Sequence, residues 1–168
     1  VKVLAPCRMD DSDELQTYHE RLLTQLADAC RRTRHEFLLE IITARPDKLA
    51  APDQIHALME RFYELGIFPD WWKLEPVLES GFWKRCGDIV RANDAQMQGI
   101  IVLGKEAEPE VLASVFRNAG SEPLVKGFAV GRTIFAGAAQ DWLNGRIDDD
   151  MAVTSMTDLF AGLIDAWD

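Results

Sequence analysis

Lys73 lies in the apolar run Trp71-Trp72-Lys73-Leu74, and Glu40 interrupts another, Phe37-Leu38-Leu39-Glu40-Ile41-Ile42. A charge inside a strand that is covered on both faces must be paired or sit at the strand's end, because burying it alone is costly. A lysine held among apolar groups and near other cations gives up its proton more readily, which an imine-forming nucleophile requires. Strand alternation puts Trp71, Lys73 and Glu75 on one face, so a structural Lys73–Glu75 or interstrand ion pair is the competing reading. Glu40 has no basic residue close in sequence, and its partner must come from another strand. It reads either as a proton shuttle or as half of a buried salt bridge. Lys2 sits in the first apolar run as Lys73 does in the third, with a solvated terminal residue as its alternative.

A second kind of chemistry is written in Gly127-Phe128-Ala129-Val130-Gly131-Arg132-Thr133, a strand that ends in glycine and arginine and runs into a helix. Glycine lets the backbone approach an anion, helix N-terminal N–H groups point at it, and guanidinium binds it in two places. Gly104-Lys105 offers a second set of backbone donors. An ordinary turn at each glycine and a surface ion pair at Arg132 are the alternatives. Other chemistry is missing. His19, His35 and His56 are scattered without metal-ligand spacing, and there is no P-loop, dinucleotide fingerprint or serine nucleophile elbow.

The elements that must position these residues alternate regularly. Residues 1–5 form a strand, followed by a helix whose stripe reads Leu15, Tyr18, Leu22, Leu26, Ala29. The strand 37–42 leads through a loop to Pro52 and a helix carrying Ile55, Leu58, Met59, Phe62 and Leu65, closed by Gly66. The strand 71–74 precedes a helix over roughly 79–91, the strand 99–103 ends at Gly104, and Pro109 opens a helix with Leu112, Val115 and Phe116. The strand 125–130 is followed by helices over about 133–144, stopped by Gly145, and about 148–166, whose Asp148-Asp149-Asp150 suits a helix N-terminus.

Strands alternating with helices argue for βαβ units and a parallel sheet buried on both faces. A complete barrel of eight units takes about 250 residues. The 168 residues therefore form either an open doubly wound sheet or a single partial domain, residues 1–168, supplying about the last five units of a barrel. The chain starts inside a strand, which reads as a piece of a longer protein. Its formal charge of −10 disfavours nucleic acid and anionic membranes as partners. No apolar run approaches the roughly 20 residues of a membrane span. The unclustered Cys7, Cys30 and Cys86 suit free, buried thiols in a reducing cytoplasm.

With these residues in place, Val1-Lys2-Val3-Leu4, Phe37-Leu38-Leu39-Glu40, Pro69-Asp70-Trp71-Trp72-Lys73-Leu74 and Gly127-Phe128-Ala129-Val130-Gly131-Arg132-Thr133-Ile134-Phe135 resemble the aldolase-like domain of bacterial inositol catabolism. That domain often follows a sugar-kinase domain, a 5-dehydro-2-deoxygluconokinase, in one polypeptide. The same blocks are more distantly similar to class I tagatose-bisphosphate aldolases. The resemblance implies a TIM (βα)8 barrel that cleaves 5-dehydro-2-deoxygluconate 6-phosphate to glycerone phosphate and malonate semialdehyde, with no metal or other cofactor. It also implies roles. Lys73 would form the imine, Lys2 would help keep it neutral, Glu40 would move protons, and Gly104, Gly131 and Arg132 would hold the substrate phosphate. Against that pattern the first three βα units are missing, which calls for completion by an N-terminal barrel segment or a homo-oligomer. A noncatalytic phosphosugar-binding or regulatory domain attached to the kinase is the alternative function.

Overall fold

The computed structural model describes residues 1–43 and 51–168. The elements, in chain order, are β1 (Lys2–Pro6), α1 (Asp13–Thr33), β2 (Leu38–Ile42), α2 (Pro52–Glu64), β3 (Trp71–Leu74), α3 (Phe82–Asn93), β4 (Gly99–Leu103), α4 (Pro109–Ala119), β5 (Val125–Ala129), α5 (Arg132–Leu143) and α6 (Asp149–Trp167). The loop expected before Pro52 lies mostly outside the described residues.

Local chemistry sets the helix starts. Ser12 caps α1, its hydroxyl accepting from Leu15 N at 3.4 Å, and Asp13 and Glu14 follow in the first turn. Such a cap satisfies one of the N–H groups that a helix start leaves unpaired. Asp148 does the same for α6, accepting from Met151 N at 2.9 Å, so the acidic group there is a helix start as expected. Proline opens α2 and α4, where its fixed φ already fits a helix. The third helix begins at Phe82 rather than near residue 79, because Gly81 stands before it in a left-handed conformation with φ 87°.

The five strands form one sheet in the order β1-β2-β3-β4-β5, every neighbouring pair parallel. A doubly wound sheet reverses its strand order partway, and this one does not. Crossovers between parallel strands are almost always right-handed, so a run of them in one direction puts the connecting helices on one face. The burial pattern agrees. Ala5, Leu39, Ile41, Trp72, Leu74, Ile100 and Val102 point toward the helices and join one hydrophobic cluster with Phe62, Trp83 and Phe116.

Two expectations are corrected here. The sheet is covered on one face only: Leu4, alternating with buried Ala5, is 47% exposed. The α1 stripe also turns out differently, since Leu15, Tyr18 and Leu22 are exposed while Leu23, Ala27 and Cys30 are buried. The helix follows an edge strand, so its outer side has no helix neighbour among the described residues.

At the other edge, α6 covers the sheet. Phe116 of α4 stacks on Phe128 of β5 with centroids 4.5 Å apart, and Trp167 of α6 meets both rings at 5.8 and 6.0 Å. With α6 in that position, α5 buries only Ala138 among its residues and begins directly beyond the end of β5. Among the described residues no helix is long and apolar enough to cross a membrane, and the three cysteines are free and buried.

Candidate functional site

The register aligns Leu4, Glu40, Lys73 and Ile101 across β1 to β4. Glu40 and Lys73 are therefore neighbours on the face that the helices leave open. Lys2 is two residues earlier in β1, opposite Leu38, and its long side chain reaches along the strand direction. All three converge. Lys2 Nζ lies 2.6 Å and Lys73 Nζ 3.4 Å from the same atom, Glu40 Oε2.

Glu40 is 6% exposed, and a carboxylate so buried must be matched by charge or hydrogen bonds. Its expected partner on a neighbouring strand exists on both sides. The Lys73 side chain is 17% exposed and that of Lys2 is 50% exposed, so Lys73 is the more enclosed of the two. Of the ion pairs weighed as the alternative, the interstrand one is present: Lys73 pairs with Glu40, whereas Glu75 pairs with Lys105 at 2.5 Å.

An open cleft of about 290 Å³ at the carboxyl ends of β2 to β5 brings together the sequence-predicted residues other than Lys2. Glu40 and Lys73 lie on its wall with Gly104, Lys105 and Glu106 after β4, and Gly131, Arg132 and Thr133 after β5. Carboxyl ends of parallel strands are where α/β proteins assemble their sites. Phe135 supplies an aromatic side to the same cleft.

The anion features differ in what they contribute. Gly131 stands before α5 with no side-chain cap, and Arg132 opens the helix. Arg132 forms an ion pair with Glu106 across the cleft. Gly104 has a packing reason for being glycine, since a Cβ there would stand 2.8 Å from Val130 Cγ1. Its neighbours Lys105 and Glu106 both adopt left-handed conformations, with φ 50° and 57°.

Other candidates fall away on chemistry. Cys7 Sγ lies 3.4 Å from His19 Nδ1, but burial, reinforced by Asp11 and Glu20, pushes the thiol up to about 12. A thiol that stays protonated is no nucleophile. His56 stacks on Phe82 and contacts its carbonyl at 3.2 Å, and burial holds it below the usual imidazole range. No group of metal-binding side chains is found among the described residues.

Sequence reasoning missed one cluster. Glu75 is wholly buried just past β3, taking Thr43 N and Thr43 Oγ1 on one oxygen and Lys105 on the other. The alternation of Lys73 and Glu75 was its visible signal, but Thr43 and Lys105 come from separate loops, and nothing in the local pattern joins them.

A comparison with curated proteins found no match. Over residues 1–168 the chain matches the family described as "Uncharacterized protein conserved in bacteria (DUF2090)", and it belongs to that family.

Proposed function

We propose that this chain is the later part of a (βα)8 barrel and acts as a class I, Schiff-base aldolase on 5-dehydro-2-deoxygluconate 6-phosphate. The observation that carries the reading is the convergence of Lys2 and Lys73 on Glu40 Oε2, on the wall of a cleft shared with Gly131 and Arg132. A lysine, a carboxylate within reach of it and an anion site in one cleft are what imine chemistry on a phosphorylated ketone requires.

In this reading the substrate phosphate lies at Arg132 and the start of α5, while the ketone reaches Lys73. Lys73 Nζ adds to the carbonyl carbon, and water leaves to give an iminium ion. Glu40 accepts the proton of the hydroxyl on the second carbon from the ketone. The bond between that carbon and the first carbon from the ketone breaks, its electron pair moves into the iminium to form an enamine, and malonate semialdehyde departs. Protonation of the enamine and return of the water release glycerone phosphate and the free lysine. Lys2 keeps Glu40 matched by a cation while Lys73 is engaged as the imine.

The barrel reading is supported by the sequential all-parallel order and by β1 and β5 each pairing on one side only among the described residues. Three further βα units, from an N-terminal segment or another subunit, would pair with both edges and cover the open face. The buried free thiols suit a reducing compartment, and the cytoplasm is the proposed location.

A noncatalytic phosphosugar-binding domain linked to a sugar kinase is the second reading. It is favoured by the same ion pairs, because two ammonium groups satisfy a buried Glu40 with no chemistry required. Enzymatic reduction of released glycerone phosphate separates the two. The aldolase reading expects turnover that Lys73→Met abolishes. The binding reading expects no turnover, and phosphate-ester binding that survives Lys73→Ala but is lost in Arg132→Ala.

A further inference from the structure

Glu75 is fully buried, yet it is an acid placed two residues beyond Lys73 on the open side of the sheet. Its oxygens are divided between two loops. Oε2 accepts from Thr43 N and Thr43 Oγ1, each at 2.7 Å, and Oε1 accepts from Lys105 Nζ at 2.5 Å. One carboxylate thus ties together the residue after β2, the end of β3 and the loop after β4.

The loop it holds has an unfavourable backbone. Lys105 and Glu106 are successive non-glycine residues in the left-handed region, a conformation that persists only where surroundings enforce it. The enforcing contacts are visible: Lys105 is fastened to Glu75, Glu106 is paired with Arg132, and Ala107 N donates to Gly104 O at 3.0 Å. The result is a lysine whose ammonium is fixed at the cleft wall instead of extended into water.

We infer that Lys105 is an anion-binding side chain of this cleft, acting with Arg132 on a phosphate ester, and that Glu75 is the positioning residue that holds it there. An ammonium group has three donors, and the bond to Glu75 Oε1 uses one. The Lys105 side chain is 31% exposed and lines the cleft beside Arg132, so its remaining donors are open to a ligand. Arg132 contributes a planar fork and Lys105 a point charge, a combination suited to a tetrahedral dianion. The inference rests on the proposed phosphorylated substrate and adds the residues that recognise its charge.

Calorimetric titration of the full chain with inorganic phosphate and with glycerone phosphate tests it, using Lys105→Met, Lys105→Arg and Glu75→Gln beside the parent. Loss of one charge-assisted contact should weaken binding about 10- to 100-fold in Lys105→Met. Lys105→Arg should restore most of it, which a role confined to packing would not give. Binding by Lys105→Met should also depend less steeply on salt, as one cation fewer meets the anion. Glu75→Gln should fall between the parent and Lys105→Met; if it fails to fold, the loop variants carry the test. Binding by Lys105→Met within about twofold of the parent overturns the inference and leaves the aldolase reading intact. No phosphate binding by the parent overturns both.

Discussion

Lys73 Nζ lies 3.4 Å from Glu40 Oε2, the oxygen that Lys2 Nζ approaches to 2.6 Å from the opposite side of β2. The two lysines are on different strands, and Glu40 stands on the strand between them, in register with Lys73 and two residues beyond the partner of Lys2. The arrangement is asymmetric in consequence. Removing Lys73 leaves Glu40 still paired with Lys2, but removing Glu40 leaves two ammonium groups facing each other.

Lys73→Met should therefore fold, with a loss below about 1 kcal/mol, whereas Glu40→Leu should lose about 1–3 kcal/mol because Lys73 is then a largely enclosed cation without its partner. Urea denaturation of both variants measures the difference. Equal losses would mean that Lys2 does not compensate. In the aldolase reading Glu40→Gln also slows cleavage by about 100- to 10,000-fold, the range expected for removal of a positioned proton acceptor.

Gly104→Ala should cost about 1–3 kcal/mol, because the added methyl group would overlap the Val130 side chain at 2.8 Å. Val130→Ala in the same chain should recover part of that loss. A double-mutant cycle gives the coupling directly, and additivity of the two changes would exclude the contact as the cause.

Glu122 accepts from both Arg91 terminal nitrogens, at 2.7 and 3.0 Å, and these bonds hold its carboxyl below the usual value of 4.5 despite its burial. A carboxyl with a lowered folded pKa contributes stability that is complete above its unfolded value and lost as pH falls through the folded one. Stability should thus decline below about pH 4.5, and less steeply in Glu122→Gln, as read from chemical denaturation across that range. Parallel curves for the two proteins would contradict the assignment.

Cys7, pushed up to about 12 by burial, should resist alkylation by iodoacetamide at neutral pH and react only after denaturant is added. Mass mapping of the modified peptide checks this. Rapid labelling of Cys7 in the native chain would show that its side chain is neither buried nor protonated as described.

The succession of elements was legible because each carries a local signal. Pro52 and Pro109 open helices, Gly66 and Gly145 stand at helix ends with positive φ, and the run at 99–103 is a strand over the expected residues. That Glu40 needs a lysine from a neighbouring strand was legible too, since a charge inside an apolar strand demands a partner, whereas only the family resemblance put Lys2 beside Lys73. What local pattern could not give was the number of covered faces, because a run such as Leu38 to Ile42 reads the same whether its second face meets helices or an open cleft. The α1 stripe misled for a related reason: apolar spacing defines a face but not which neighbour it meets. Thr43, Glu75 and Lys105 belong to three separate strand ends and become one cluster only through the parallel register.

Imine formation at Lys73 is tested most directly by sodium borohydride reduction of the chain in the presence of glycerone phosphate, followed by mass mapping of its peptides. The aldolase reading predicts a stable adduct carried by Lys73 and absent from Lys73→Met. No adduct on Lys73, or equal labelling in Lys73→Met, would contradict it.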